Sequence, residues 1–229
     1  MIQAVGVIVP AHNEESLLPA CLRAISLAIA QVSVPVRVTV VADACTDRTA
    51  ELARSAGADV AEIAARSVGA ARAAGAAAQL AHAVGINSAG HWLATTDADT
   101  LVPAHWIARQ LEYAAGGFDV VLGTVGVTRW DEHPPHVPAT FRAQYAFGDG
   151  PHSHVHGANF GIRASAYLAA GGFPPLTTGE DHALRGAALG TGSRIVHAAD
   201  IEVITSARRH ARAEKGFSSL LNSLAQATG

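Results

Sequence analysis

The chain has 229 residues, a formal charge of −3 with histidine neutral, 49% hydrophobic residues and two cysteines. That length buries a substantial core without covalent staples, and two cysteines without metal-ligand spacing exclude a disulfide framework and fit a reducing, cytoplasmic setting. Basic residues are scattered until Arg208, Arg209 and Arg212, which excludes the broad basic surface of a nucleic-acid binder; no run reaches the ~20 apolar residues that span a bilayer, leaving peripheral membrane contact open.

Residues 5–9 (Val-Gly-Val-Ile-Val) predict a buried strand, ended by Pro10 and Asn13 ahead of a helix over 14–30. The segment up to Pro10 has no charged leader and no small-residue cleavage site, so no secretion signal is predicted. A second strand, 36–41, runs into Asp43; Asp47 caps a helix through Ala56, and 59–61 form a short third strand. Residues 67–84 are alanine-rich and helical in propensity, with Gly69 and Gly75 as points of close packing. The apolar run 91–96 predicts a strand that delivers Asp97 and Asp99 at its exit. A helix over 103–114, started by Pro103, and a strand over 120–128 follow. Alternating strands and helices predict an α/β fold, a mostly parallel sheet covered on both faces.

Beyond Thr128 the proline-rich stretch 130–138 predicts a surface loop suited to be a lid, then a short helix over 139–147. A strand over 155–162, helices over 164–170 and 180–189, short strands over 194–196 and 202–205 and a helix over 217–227 complete the pattern. No linker is long or polar enough to split the chain, so one domain over 1–229 is expected.

In open α/β sheets ligands bind outside the carboxyl ends of the strands, which singles out Pro10 to Glu14, Asp43, Asp97 with Asp99, and Glu180-Asp181. Two carboxylates one residue apart suit a divalent cation and the phosphates it neutralises.

Val7-Ile8-Val9-Pro10-Ala11-His12-Asn13-Glu14-Glu15, Val40-Val41-Ala42-Asp43, Asp97-Ala98-Asp99 and Gly179-Glu180-Asp181 occur in the order seen in family 2 glycosyltransferases, which the chain resembles. Gly157-Ala158-Asn159-Phe160-Gly161-Ile162-Arg163 and Gly171-Gly172-Phe173 extend the resemblance over nearly the whole sequence. It implies a GT-A fold, the Rossmann-like fold of nucleotide-diphospho-sugar transferases, with a nucleotide-sugar-binding half over 1–128 and an acceptor-binding half over 129–229. The implied activity is inverting, metal-dependent transfer of a sugar from a UDP- or GDP-sugar to a hydroxyl acceptor, with Mn²⁺ or Mg²⁺ as cofactor. By the same resemblance Asp43 receives the nucleotide base, Pro10, His12, Glu14 and Arg72 line that pocket, and Asp97 contacts the ribose or a metal-bound water. Asp99 ligates the cation with His210 as a further ligand and His197 its substitute, Arg208 and Arg209 face the diphosphate, and Asp181 is the catalytic base. His156, Gly157, Asn159 and Glu180 would build the acceptor side.

Each residue also has a plainer reading: a turn aspartate at Asp43, a first-turn acid at Glu14, a solvated helix face at Arg72, a helix cap at Asp181 and a basic surface run at 208–210. His152, His154 and His156 share one face if extended, and three such imidazoles suit zinc as well as an acceptor pocket, with His152 the one expected at the surface. Ala42 and Ala44-Cys45 depart from the family's acid and Gly-Ser. A noncatalytic nucleotide-sugar-binding protein is the main alternative. A nucleotidyltransferase would need a glycine-rich phosphate loop near residue 10, and an aspartate-dependent phosphatase would need threonine where Leu101 stands.

Overall fold

The computed structural model describes residues 1–145, 152–208 and 217–226, with 144, 217–220 and 226 described by backbone alone. In chain order the elements are β1 (Ala4–Ala11), α1 (Leu18–Ile29), β2 (Val36–Asp43), α2 (Thr49–Ser55), β3 (Asp59–Ile63), α3 (Val68–His82), β4 (His91–Thr95), β5 (Thr100–Leu101), α4 (Trp106–Ala115), β6 (Val120–Val127), α5 (Val137–Tyr145), β7 (Phe160–Arg163), α6 (Ala164–Ala169), α7 (Glu180–Gly190), β8 (Ile195–Thr205) and α8 (Phe217–Gln226). The strands form one sheet in the order β3-β2-β1-β4-β7-β6-β8-β5. β3, β2, β1, β4, β6 and β8 run the same way, while β7 and the two-residue β5 are antiparallel to their neighbours.

Alternation along the strands divides the core into two layers. Val5, Val7, Val9, Trp92 and Ala94 face α1, α2 and α4 through Leu18, Ile25, Ala53, Trp106 and Ile107. Ile8, Leu93, Leu122, Phe160 and Ile162 face α3, α6 and α7 through Ala76, Tyr167 and Leu184. Gly75 lets α3 lie close on the sheet, since a Cβ there would meet Ile8 Cγ2 at 2.5 Å.

From β1 the chain steps outward to β2 and β3, then returns through α3 to β4 on the other side of β1. The strand order therefore reverses between β1 and β4, and a crevice opens at their carboxyl ends. Register pairs Ile8 with Thr95, so Pro10 and Asp97 leave the sheet at the same level.

The predicted strands 194–196 and 202–205 are one strand, β8, whose pairing with β6 jumps between Gly123 and Thr124, opposite Ala198 and Glu202. This bulge bends β8 across to β5. The predicted strand 155–162 starts later, at Phe160, after a single 3₁₀ turn over Gly157–Asn159. The expected lid is tied down: His133 Nε2 lies 2.6 Å from the Ala207 carbonyl, and Trp130 packs on a cluster formed by Val137, Phe141, Leu221 and Leu224. Among the described residues no helix is long and apolar enough to cross a membrane.

Candidate functional site: a strand-end cavity ringed by carboxylates

A cavity of about 750 Å³ lies over the carboxyl ends of β1, β2 and β4. Its walls are the residues just after those strands, the start of α3, the segment before β7 and the loop into α7. A volume of this order suits a nucleotide-sized ligand. Among the described residues, the non-glycine positions in the left-handed region are Asn13, Ala44 and Arg66, all in loops at this end of the sheet. Backbone strain of that kind collects where side chains are held for function.

On the β2 side Asp43 Oδ1 accepts from the Ala65 and Arg66 amides at 2.7 and 2.8 Å, and Oδ2 from the Ser67 amide at 2.8 Å. Ser67 in turn caps α3, its hydroxyl accepting from the Ala70 amide at 3.3 Å. Asp43 thus fixes the turn that opens α3 while bordering the cavity. His12 Nδ1 lies 2.6 Å from the Asp43 carbonyl, which sets its ring beside Pro10 on the same wall.

At the centre, Arg72 is buried and its guanidinium joins Asp97, at 2.5 Å, to Glu180. Burial opposes its charge, but Asp97 and then Glu180 outweigh that and hold the guanidinium protonated beyond its ordinary range. Gly157 makes room for it, since a Cβ there would meet Arg72 Cζ at 2.3 Å. The contacts of Arg72 are therefore with protein carboxylates, which join the β4 exit to α7.

Asp99 Oδ2 pairs with Arg208 at 2.9 Å, and Oδ1 lies 3.5 and 3.4 Å from the Thr100 and Thr205 hydroxyls. Arg208 also reaches Glu14, at 2.8 Å. Desolvation pushes the Asp99 carboxyl up to about 6; Arg208 opposes this, and the nearby Asp97 and Glu14 charges add to it. Carboxylates short of positive charge, made of hard oxygen donors, fit Mg²⁺ or Mn²⁺. Among the described residues no three acidic, histidine or cysteine groups converge as a complete metal cage. One or two carboxylates with substrate phosphates and water suffice for such ions, so Asp99 and Asp97 fit as a partial ligand set.

Across the cavity Asp181 Oδ2 accepts from the Gly157 amide and Oδ1 from the His182 amide, both at 2.7 Å. His156 lines the same wall; desolvation lowers its imidazole to about 4, with Asp181 opposing and the neighbouring histidines adding. Its Nε2 lies 2.7 Å from the Tyr145 hydroxyl.

Four expectations change. Asn159 belongs to the core: its amide donates to the Thr124 and Ile201 carbonyls at 2.8 and 2.9 Å, filling the bulge, and its oxygen accepts from Trp106 Nε1 at 2.9 Å. Glu180 lines the cavity, but its buried carboxylate is bound to Arg72 and so supports that guanidinium. His197 pairs with Leu122 and Thr205 with Val127, five residues or about 16 Å apart along β6, which leaves His197 out of reach of Asp99. His152 is buried, and the three imidazoles stack in a row with centroids 5.7 and 5.9 Å apart, a geometry for packing where zinc needs convergence. Arg209 and His210 lie outside the described residues. Sequence reasoning overlooked Thr205 and Tyr145; the polar pair Thr205-Ser206 closing an apolar strand was the available signal for the first.

The model of glycosyl transferase family 2 matches residues 6–169. The chain belongs to that family. It is 36% identical over 135 residues to the undecaprenyl-phosphate 4-deoxy-4-formamido-L-arabinose transferase of Pectobacterium carotovorum, covering 57% of this chain and 39% of that protein. The Pseudomonas aeruginosa protein of the same name is 35% identical over 139 residues, covering 57% and 38%. The chain thus spans about two fifths of the length of these curated relatives. Among solved structures, S. aureus TarS 1-349 with UDP-GlcNAc superposes with a TM-score of 0.66 at 17% identity, covering 93% of this chain and 61% of that one. The mannosyltransferase PcManGT from Pyrobaculum calidifontis, with GDP-Man and Mn²⁺, gives 0.63 at 20%, covering 94% and 59%. The fold of this family 2 chain is GT-A.

Proposed function

We propose that this chain transfers a glycosyl group from a UDP- or GDP-sugar to an acceptor hydroxyl, with inversion at the anomeric carbon. The observation that carries the reading is the ring of carboxylates on one strand-end cavity of a family 2 chain: Asp97 and Asp99 from the β4 exit face Asp181 from the start of α7. The nucleotide base lies along Pro10, His12 and the turn held by Asp43. Asp99, with Asp97 beside it, would hold Mn²⁺ or Mg²⁺, which when bound neutralises charge on the departing diphosphate. Arg208 supplies a further positive charge on the same side. Asp181, oriented by the Gly157 and His182 amides, takes the proton of the acceptor hydroxyl as its oxygen attacks. Arg72 keeps Asp97 and α7 at a fixed spacing, so nucleophile and leaving group meet in line.

Incubation with UDP- and GDP-sugars and Mn²⁺, followed by nuclear magnetic resonance of the released sugar, is expected to give product of inverted configuration. Retained configuration would contradict the role given to Asp181.

A second reading draws on the curated relatives, whose names specify undecaprenyl phosphate. A phosphate oxygen is already ionised near neutral pH and needs no base. Asp181→Asn separates the two: a hydroxyl acceptor predicts a loss in kcat of about 10²- to 10⁴-fold, a phosphate nucleophile a change below about tenfold.

A further inference from the structure

Arg208 stands three residues past the end of β8, in a turn where its amide donates to Ser206 Oγ at 3.3 Å. Its two terminal nitrogens part company: Nη1 donates to Glu14 Oε1 at 2.8 Å and Nη2 reaches Asp99 Oδ2 at 2.9 Å. Glu14 follows the exit of β1 and Asp99 the exit of β4, so the fork spans the point where the strand order reverses. The side chains of Glu14 and Asp99 are 4% and 10% exposed against 21% for Arg208, and all three line the cavity. Asp97 is answered separately by Arg72. Among the described residues, Arg208 is the cation that pairs with both Glu14 and Asp99.

Asp99 is also the carboxylate that fits Mn²⁺ or Mg²⁺, and the two uses collide. Its Oδ1 is turned to the Thr100 and Thr205 hydroxyls, at 3.5 and 3.4 Å, which leaves Oδ2 for a cation. A hard divalent ion bonds a carboxylate oxygen at about 2.1 Å. With Nη2 at 2.9 Å from the same oxygen, metal and guanidinium would stand about 4 Å apart, like charges on one carboxylate. A bare ion meets that repulsion in full. A diphosphate that accompanies the ion supplies oxygens to both, and the forked guanidinium suits phosphate as well as carboxylate.

We infer that Arg208 occupies the cation site of the ligand-free protein, ceding Asp99 Oδ2 to a metal that enters with the donor diphosphate, while Glu14 keeps the released guanidinium beside the phosphates. Glu14 is then a positioning residue: with Nη1 held on it, Nη2 turns from Asp99 to a phosphate oxygen without the side chain leaving the site. The reverse exchange, Arg208 returning to Asp99, favours joint departure of metal and nucleoside diphosphate after transfer. This rests on the glycosyl-transfer reading and adds an order of binding to it.

The test is Mn²⁺ binding followed by electron paramagnetic resonance in the wild type, Arg208→Gln, Arg208→Lys and Arg66→Gln, first without nucleotide; UDP and GDP are then titrated calorimetrically at saturating Mn²⁺. Without nucleotide, Arg208→Gln is expected to bind Mn²⁺ about tenfold or more tightly than wild type; at saturating Mn²⁺ it is expected to bind the nucleotide that wild type prefers about tenfold more weakly. One substitution thus moves two affinities in opposite directions, which a general loss of structure does not do. Arg208→Lys keeps the charge and loses the fork, so Mn²⁺ binding about threefold tighter than wild type is expected, and this variant carries the test if Arg208→Gln does not fold. Arg66→Gln removes a charge from the cavity rim that pairs with neither Glu14 nor Asp99, and is expected to keep Mn²⁺ affinity within about twofold. Equal Mn²⁺ affinity of wild type and Arg208→Gln, an equal gain in Arg66→Gln, or undiminished nucleotide binding by Arg208→Gln overturns this inference alone. Wild-type protein that binds no nucleotide with Mn²⁺ overturns the glycosyl-transfer reading and the inference with it.

Discussion

At the residue scale, Arg72 governs the site without facing solvent. Its side chain and that of Glu180 are 4% and 3% exposed, so removing the guanidinium leaves a buried carboxylate with no counter-charge. Arg72→Met is therefore expected to lower unfolding free energy in urea by about 3–5 kcal/mol, and adding Glu180→Gln to recover part of it. Equal stability of wild type and Arg72→Met would mean the pair is open to water. In sequence Arg72 reads equally well as a nucleotide contact or a solvated helix face; burial between two acids depends on α7, a hundred residues downstream, and is invisible locally. Asn159 misleads for the same reason, because the carbonyls it satisfies belong to a bulge that no local pattern announces.

At the element scale, the loop before α7 hangs on the start of α3: Gly69 donates to the Leu176 carbonyl at 3.0 Å and Ser67 Oγ donates to the same oxygen at 2.8 Å. A Cβ at Gly69 would lie 2.2 Å from the Pro174 carbonyl oxygen and 2.7 Å from the Leu176 backbone nitrogen. Backbone cannot step aside cheaply, so Gly69→Ala is expected to shift the loop that delivers Asp181. The predicted readout is a kcat lower by about 100-fold with nucleoside diphosphate affinity changed less than about threefold. Unchanged kcat would show that the loop is not positioned by α3. The segment 152–156 makes a second prediction. His156 titrates near 4 when folded against 6.5 for the free imidazole, so the unfolded chain binds the proton first. Its contribution is present above pH 6.5 and is lost as pH falls towards 4, about 3 kcal/mol in all. Denaturant unfolding across that range, compared with His156→Gln, measures it; parallel pH profiles of the two proteins would contradict the assignment.

At the scale of the whole molecule, the strands and helices up to β6, β5 excepted, are legible because each apolar run ends in a turn residue or acid that also ends the element, as Val5 to Pro10 and His91 to Asp97 do. The boundaries of β8 and the two-residue β5 are not, since both depend on pairing between segments 75 to 105 residues apart. The same division holds for the site. Strand-exit acids identify the crevice, because β1, β2 and β4 all run the same way and deliver Pro10, Asp43 and Asp97 to one edge. The partners of those acids, Arg72 and Arg208, come from elsewhere in the chain and appear only on folding.

The central claim is that Asp99 anchors a donor diphosphate through a divalent cation. Calorimetric titration of UDP and GDP into the protein, with Mn²⁺ and then with a chelator, tests it most directly. Binding that requires Mn²⁺ and is lost in Asp99→Ala, while persisting in Asp181→Asn, is the predicted result. Equal affinity with and without Mn²⁺, or full binding by Asp99→Ala, would contradict it.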